Sequence, residues 1–336
     1  MTRMAVRTGS NAVASALRSA SAVRPAKSIA PQPATKTRSR AKKTPTDGWV
    51  QGLAGGRRYR LYKPVATQNG DRLPLLVMLH GCAQDAQALA SVCQMNRVAA
   101  REGFFVLYPE QGRISNPQGC WNWYATRNGQ AQREADSILA VISQVCQSHK
   151  IDANKIALAG LSAGAGMAAF LATRYPARFR VVAMHSGIAP GVAQSQATAL
   201  RAMQGRAGPP AALPSPVQGV HLPALLVIHG SADRIVAARN GLDAAMLWAN
   251  CEGAKPGKPR TLQRGKRYPS TVTDYKSAGR LIASHCLIHG LGHAWSGGAA
   301  RKSFSDSAGP DASRMIWAFA SKQFAQAQAK HLKSRV

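Results

Sequence analysis

Acidic residues are scarce in this chain of 336 residues: 14 Asp and Glu stand against 44 Lys and Arg, for a formal net charge of +30. A surface so short of negative charge attracts polyanions and anionic interfaces, but the imbalance carries no information about fold. Long apolar runs are also missing. No stretch reaches the roughly 18 apolar residues that a membrane-spanning helix needs, so no span is expected. No continuous apolar segment follows Arg3 and Arg7, so no secretory signal is expected either. Cysteine is too sparse for a disulfide scaffold at this length, with only Cys82, Cys93, Cys120, Cys146, Cys251 and Cys286. Without a signal, the expectation is reduced thiols and a cytoplasmic location, with secretion by a route the N-terminus does not reveal as the alternative. No C-x-x-C pair occurs, and the nine histidines lack zinc-like spacing. Neither a metal nor any other cofactor is expected.

What is present fits a globular α/β unit, with 45% apolar and 17% charged residues. Residues 1–46 hold ten Lys or Arg and no Asp or Glu, among many Ala, Ser, Thr and Pro. That composition cannot bury enough surface to fold alone, so 1–47 is expected to be a disordered basic arm and 48–336 the folded domain. An organellar transit peptide shares this composition and is the second reading.

Along the chain, a strand is predicted over 58–63 and a doubly buried one over 74–79, closing in His80-Gly81-Cys82. A helix over 85–101 and a strand over 104–108 follow, and strand–helix–strand predicts a right-handed crossover in a parallel sheet. The loop 110–128 carries Cys120-Trp121-Asn122-Trp123-Tyr124, whose aromatics in a polar setting suggest a binding surface. A helix over 131–148 leads to the apolar strand before Gly160-Leu161-Ser162-Ala163-Gly164. Strands are predicted over 179–185, 225–229 and 284–288, with helices over 239–250 and 311–329. Residues 188–222 read as an insertion above the sheet, and 253–267 as an exposed basic loop.

Gly-x-Ser-x-Gly between a strand and a helix is the layout of a nucleophile elbow, which pushes a serine hydroxyl clear of the sheet. Ser162, Asp233 and His293 each follow a predicted strand, in the Ser…Asp…His order of α/β-hydrolases. A serine hydroxyl needs an imidazole to take its proton, and that imidazole needs a carboxylate to hold its tautomer. His80, His185 and His229 also end strands, where structural hydrogen bonds are the expected role. An oxyanion needs two preorganised N–H donors; the amides of Ala163 and Cys82 are the candidates.

Leu79-His80-Gly81-Cys82, Met95-Asn96, Tyr108-Pro109-Glu110-Gln111, Cys120-Trp121-Asn122-Trp123, the elbow, and Gly292-His293-Ala294-Trp295-Ser296-Gly297-Gly298 occur together and in order. Over about residues 48–325 this set resembles the polyhydroxybutyrate depolymerase family of esterases, which includes feruloyl-esterase-like members. The resemblance implies an α/β-hydrolase fold, a mostly parallel central sheet with helices on both faces. It also implies a serine esterase acting through an acyl-enzyme, with Ser162 as nucleophile, His293 as base and Asp233 as acid. Trp121, Asn122, Trp123 and Trp295 would then meet substrate, and a Cys82–Cys120 disulfide becomes conceivable. The implied substrate is poly(3-hydroxybutyrate) or its oligomers, with a feruloyl or acetyl-xylan ester as the alternative. Lacking a signal, linker or appended substrate-binding domain, the chain is expected to work inside the cell, its basic arm meeting a granule or polyanion surface. A catalytically idle basic binder is the rival from another class, and the triad order weighs against it.

Overall fold

The computed structural model describes residues 48–65, 71–208 and 220–333. The arm expected over 1–47 and part of the expected insertion lie outside those residues. In chain order the elements are β1 (Trp49–Ala54), β2 (Arg57–Tyr62), β3 (Leu73–Leu79), α1 (Ala86–Cys93), α2 (Met95–Glu102), β4 (Phe105–Pro109), α3 (Gln130–Ser148), β5 (Ile151–Leu161) and α4 (Ala163–Arg174). There follow β6 (Val181–His185), α5 (Gln196–Met203), β7 (Ala224–Gly230), α6 (Arg239–Cys251), β8 (Lys255–Pro256), β9 (Arg260–Leu262), β10 (Ser270–Ser277) and β11 (Arg280–Ile288). The short pair β12 (Trp295–Ser296) and β13 (Ser305–Asp306) precedes α7 (Ala312–Lys333).

One sheet orders its strands β1-β2-β4-β3-β5-β6-β7-β11-β10-β8, with β9 also on β10. From β4 to β11 all neighbours are parallel, and the antiparallel pairs lie at the two margins. Along β3, Leu75, Val77 and Leu79 join one buried cluster with α3, α4 and α6, while Leu76 and Met78 join another with α1, α2 and α7. Adjacent side chains of a strand point to opposite faces, so helices on both sides demand the unbroken apolar runs seen in the sequence. This is the α/β-hydrolase fold, as expected.

Three local expectations are corrected. The single helix over 85–101 is two helices, because Gln94 takes a left-handed conformation (φ 54°) and its N–H closes α1 on the Ala90 carbonyl. The segment 253–267 contains β8 and β9 rather than loop alone. β1 and β10 were not expected; both are half-exposed margin strands, β1 interrupted by Gln51 and Gly52 and β10 diluted by polar side chains. Among the described residues, no helix is long and apolar enough to cross a membrane.

Candidate active site

The site gathers at the C-terminal ends of the parallel strands, the edge where open α/β sheets build sites. Ser162 stands between β5 and α4 with φ 56° and ψ −120°, a left-handed conformation that a side chain rarely adopts. Close approach makes that turn possible. A Cβ on Gly164 would lie 2.2 Å from the Leu79 carbonyl oxygen, so only glycine lets α4 start against the end of β3. Ser162 itself is half-buried. Ala163 opens α4, where the first backbone N–H groups have no helical partner and the helix dipole favours negative charge.

Asp233 and His293 come together from two loops. The Ala232 N–H donates to the Leu291 carbonyl at 3.0 Å, and a Cβ on Gly230 would lie 2.1 Å from that same oxygen. Here again glycine permits the approach. His293 Nδ1 donates to Asp233 Oδ2 at 2.7 Å, while the N–H groups of Ile235 and Val236 donate to Oδ1 at 3.0 and 2.8 Å. His229 Nε2 lies 3.5 Å from Oδ2. Burial alone would raise the Asp233 pKa, but hydrogen bonds from His229 and His293 more than offset it and hold the carboxyl well below the usual range. An ionised Asp233 accepting at Nδ1 leaves the Nε2 lone pair of His293 as the basic site.

His185 ties the two halves together. Its carbonyl accepts the Ser162 N–H at 2.9 Å, and its Nε2 accepts the Ser296 N–H at 3.1 Å. Burial pushes the His185 pKa down to about 3, with the charges of His229 and His293 adding to the effect, so the ring stays neutral and can accept. His80 is likewise structural: its Nε2 accepts the Gln111 N–H at 3.1 Å and burial lowers its pKa to about 4. His229 hydrogen-bonds the Val236 carbonyl at 2.9 Å.

Beside Ser162 opens a cavity of about 510 Å³, lined among others by Cys82, Trp123, Ala163, Ile188 and Met203. The segment 187–203 thus forms a wall of this cavity. Cys82 and Cys120 are joined by a disulfide, which corrects the expectation of reduced thiols for that pair; Cys93, Cys146, Cys251 and Cys286 remain thiols. Gly81 donates its N–H to Gln84 Oε1 at 3.0 Å, fixing the turn that carries Cys82.

The aromatic loop is more buried than its composition suggested. Trp121 is fully buried, donates to the His80 carbonyl at 3.0 Å and lies under the Arg57 guanidinium. Trp123 packs against Gly166 of α4, and both tryptophans belong to the core cluster as well as the cavity wall. Asn122 touches the cavity, but its amide is spent on Glu134, donating to Oε1 at 2.6 Å while its backbone N–H donates to Oε2 at 2.9 Å. Trp295 is a correction: it is fully buried away from the cavity, stacks on His185 and donates to Ser313 Oγ at 3.1 Å. Its indole found a better solution in the core because His185 offered a face and Ser313 an acceptor.

Sequence reasoning missed Glu134, which is buried and also accepts from Gln111 Nε2 at 2.7 Å, and Arg57, which donates to Gln111 Oε1 at 2.8 Å. Together they hold the loop 110–128 in place. Nothing in one sequence distinguishes these two charges from solvated ones; only burial reveals them.

The family described as Esterase PHB depolymerase matches residues 57–253. The chain is 30% identical over 243 residues to poly(3-hydroxyalkanoate) depolymerase C of Paucimonas lemoignei, covering 70% of this chain and 58% of that protein. It is 26% identical over 209 residues to a probable acetylxylan esterase A of Aspergillus clavatus, covering 57% of this chain and 66% of that one. The chain therefore spans less than two thirds of either relative. Its fold is similar to the solved acetyl xylan esterase from Aspergillus awamori, with a TM-score of 0.58 and 20% identity over 73% of this chain and 93% of that one.

Proposed function

This chain belongs to the esterase PHB depolymerase family, and from that premise we propose that it is a serine esterase hydrolysing poly(3-hydroxybutyrate) or its oligomers. The observation that carries the reading is the 2.7 Å bond from His293 Nδ1 to a buried, ionised Asp233, with Ser162 raised on a left-handed turn at the cavity wall. In this mechanism Nε2 of His293 takes the Ser162 proton as Oγ attacks the ester carbonyl. The resulting oxyanion is met by the amides of Ala163 and Cys82. Collapse expels the alcohol, which receives the proton from His293, and water repeats the sequence on the acyl-enzyme to release the acid. Asp233 keeps the imidazole in the productive tautomer throughout.

The acetylxylan esterase relative supports a second reading, deacylation of a carbohydrate ester by the same groups. The Cys82–Cys120 bridge beside the nucleophile favours work in an oxidising compartment over the reducing cytoplasm. Docking of the basic arm on a granule or polyanion surface belongs to this proposal too; a form lacking residues 1–46 that partitions equally onto granules would remove it.

The test compares wild type with Ser162→Ala on short p-nitrophenyl esters and on amorphous polyhydroxybutyrate. Loss of at least ~10³-fold in kcat on both substrates is the expected result. Wild-type activity on the small esters alone would move the substrate to acetyl or feruloyl esters. A Ser162→Ala protein still labelled by a fluorophosphonate would reject the nucleophile.

A further inference from the structure

Arg127 is the one charged side chain lining the cavity beside Ser162, among the described residues; the rest of its wall is apolar or neutral polar, including Trp123, Tyr124, Leu200 and Met203. It stands exposed at the mouth, and its Nε donates to Gln194 Oε1 at 2.7 Å. The Gln194 main chain is held in turn, since its N–H donates to Thr198 Oγ1 of α5 at 3.0 Å. On the other side, Arg127 extends from the loop that Glu134 and Asn122 hold down. The guanidinium therefore bridges the two walls. No carboxylate among the described residues pairs with it, although seven Arg or Lys ion pairs occur elsewhere among them.

A planar guanidinium anchored through Nε still presents its Nη donors, a fork that suits the two oxygens of a carboxylate. A neutral cavity with one such cation at its mouth suits a substrate that is apolar along its length and anionic at one end. We propose that Arg127 selects ester substrates ending in a free carboxylate, binding that end at the mouth while the scissile ester reaches Ser162. This deepens the hydroxyalkanoate reading and rests on it. An oligo(3-hydroxybutyrate) acid has this form, and each hydrolysis leaves one product with a new carboxylate and the other with a new hydroxyl. Methyl ferulate and acetyl groups on a neutral sugar have no anion to offer. The site would thus shorten oligomers from their acid end and hold its acid product.

The experiment measures competition with p-nitrophenyl butyrate hydrolysis by the 3-hydroxybutyrate trimer, as free acid and as methyl ester. Each variant is judged by its own acid-to-ester ratio of inhibition constants, so a change in folding or turnover cancels. In wild type the acid should compete about threefold to fivefold more tightly than the ester, the upper end of the scale for an exposed ion pair. Arg127→Gln should bring the ratio to about one, Arg127→Lys should keep part of it, and added salt should erode it. A ratio near one in wild type, or one unchanged in Arg127→Gln, overturns the inference even if both trimers are hydrolysed. Tight, Arg127-dependent competition by an acid trimer that is never cleaved would uphold the carboxylate site and defeat hydroxyalkanoate hydrolysis instead.

Discussion

Replacing both cysteines of the Cys82–Cys120 bridge by serine should reveal how much of this fold's stability lies in the unfolded chain. The bridge closes a loop of 38 residues in sequence separation. In the chain-entropy account, a loop of that length costs the unfolded ensemble about 3.9 kcal/mol of free energy at 25 °C. The native ends are held without the bridge. Cys82 follows β3 in a turn closed by Gln84, and the Cys120 carbonyl accepts from Gln111 Nε2 at 3.1 Å. Gln111 in turn is bound by Glu134 and Arg57. The folded state should therefore change little, and nearly the whole loss should come from a freer unfolded chain. Urea unfolding of the double variant should show a lower midpoint with stability reduced by about 3–4 kcal/mol. A melting-temperature drop on the order of 10 °C corresponds to this in a domain of such size. Wild type with reductant should behave like the variant. A loss below about 1 kcal/mol would refute the entropic reasoning, because it would mean the unfolded chain already keeps these segments together.

Two further outcomes follow from the site and the core. Asp233→Asn should lower kcat on p-nitrophenyl butyrate by about 10⁴-fold, because an amide no longer enforces the Nδ1–H tautomer of His293; an effect below tenfold would remove Asp233 from the proposed triad. Acid should destabilise the fold well above the carboxylate range. Burial first, then neighbouring charge, holds His185 at about 3 and lowers His80 and His285 to about 4. These rings stay neutral in the fold while the unfolded chain takes up protons below about 6.5. Their contribution is complete above that pH and is lost as pH falls from about 6.5 towards 4, at up to ~1.4 kcal/mol per pH unit for each histidine. Urea midpoints that stay flat from pH 7 to pH 4.5 would contradict this.

The parallel centre of the sheet was legible because strands buried on both faces must be apolar throughout, and Leu75 to Leu79 and Leu225 to Ile228 are so. The margins were not legible in the same way. β10 reads Ser-Thr-Val-Thr-Asp-Tyr-Lys-Ser, mostly polar as a solvated loop would be, and only its pairing with β11 distinguishes it. The break at Gln94 escaped notice because glutamine is a good helix former, and tertiary packing overrode that preference.

The sequence by itself determined the elbow, the order Ser162, Asp233, His293, and the glycines at 164 and 230. Those are local demands: a sharp turn excludes a Cβ, and residues that follow buried parallel strands arrive at one edge of the sheet wherever the loops then run. Tertiary structure alone decided which aromatics face solvent and which charges are spent. Trp295 is consumed by His185 and Ser313, Asn122 by Glu134, and the Cys82–Cys120 bridge forms because two distant turns meet. Arg127 likewise became a candidate for binding only when the fold set it, without an acidic partner among the described residues, at the mouth of a neutral cavity. A side chain's partners across the fold are set by long-range packing, which residue order encodes only through the whole core.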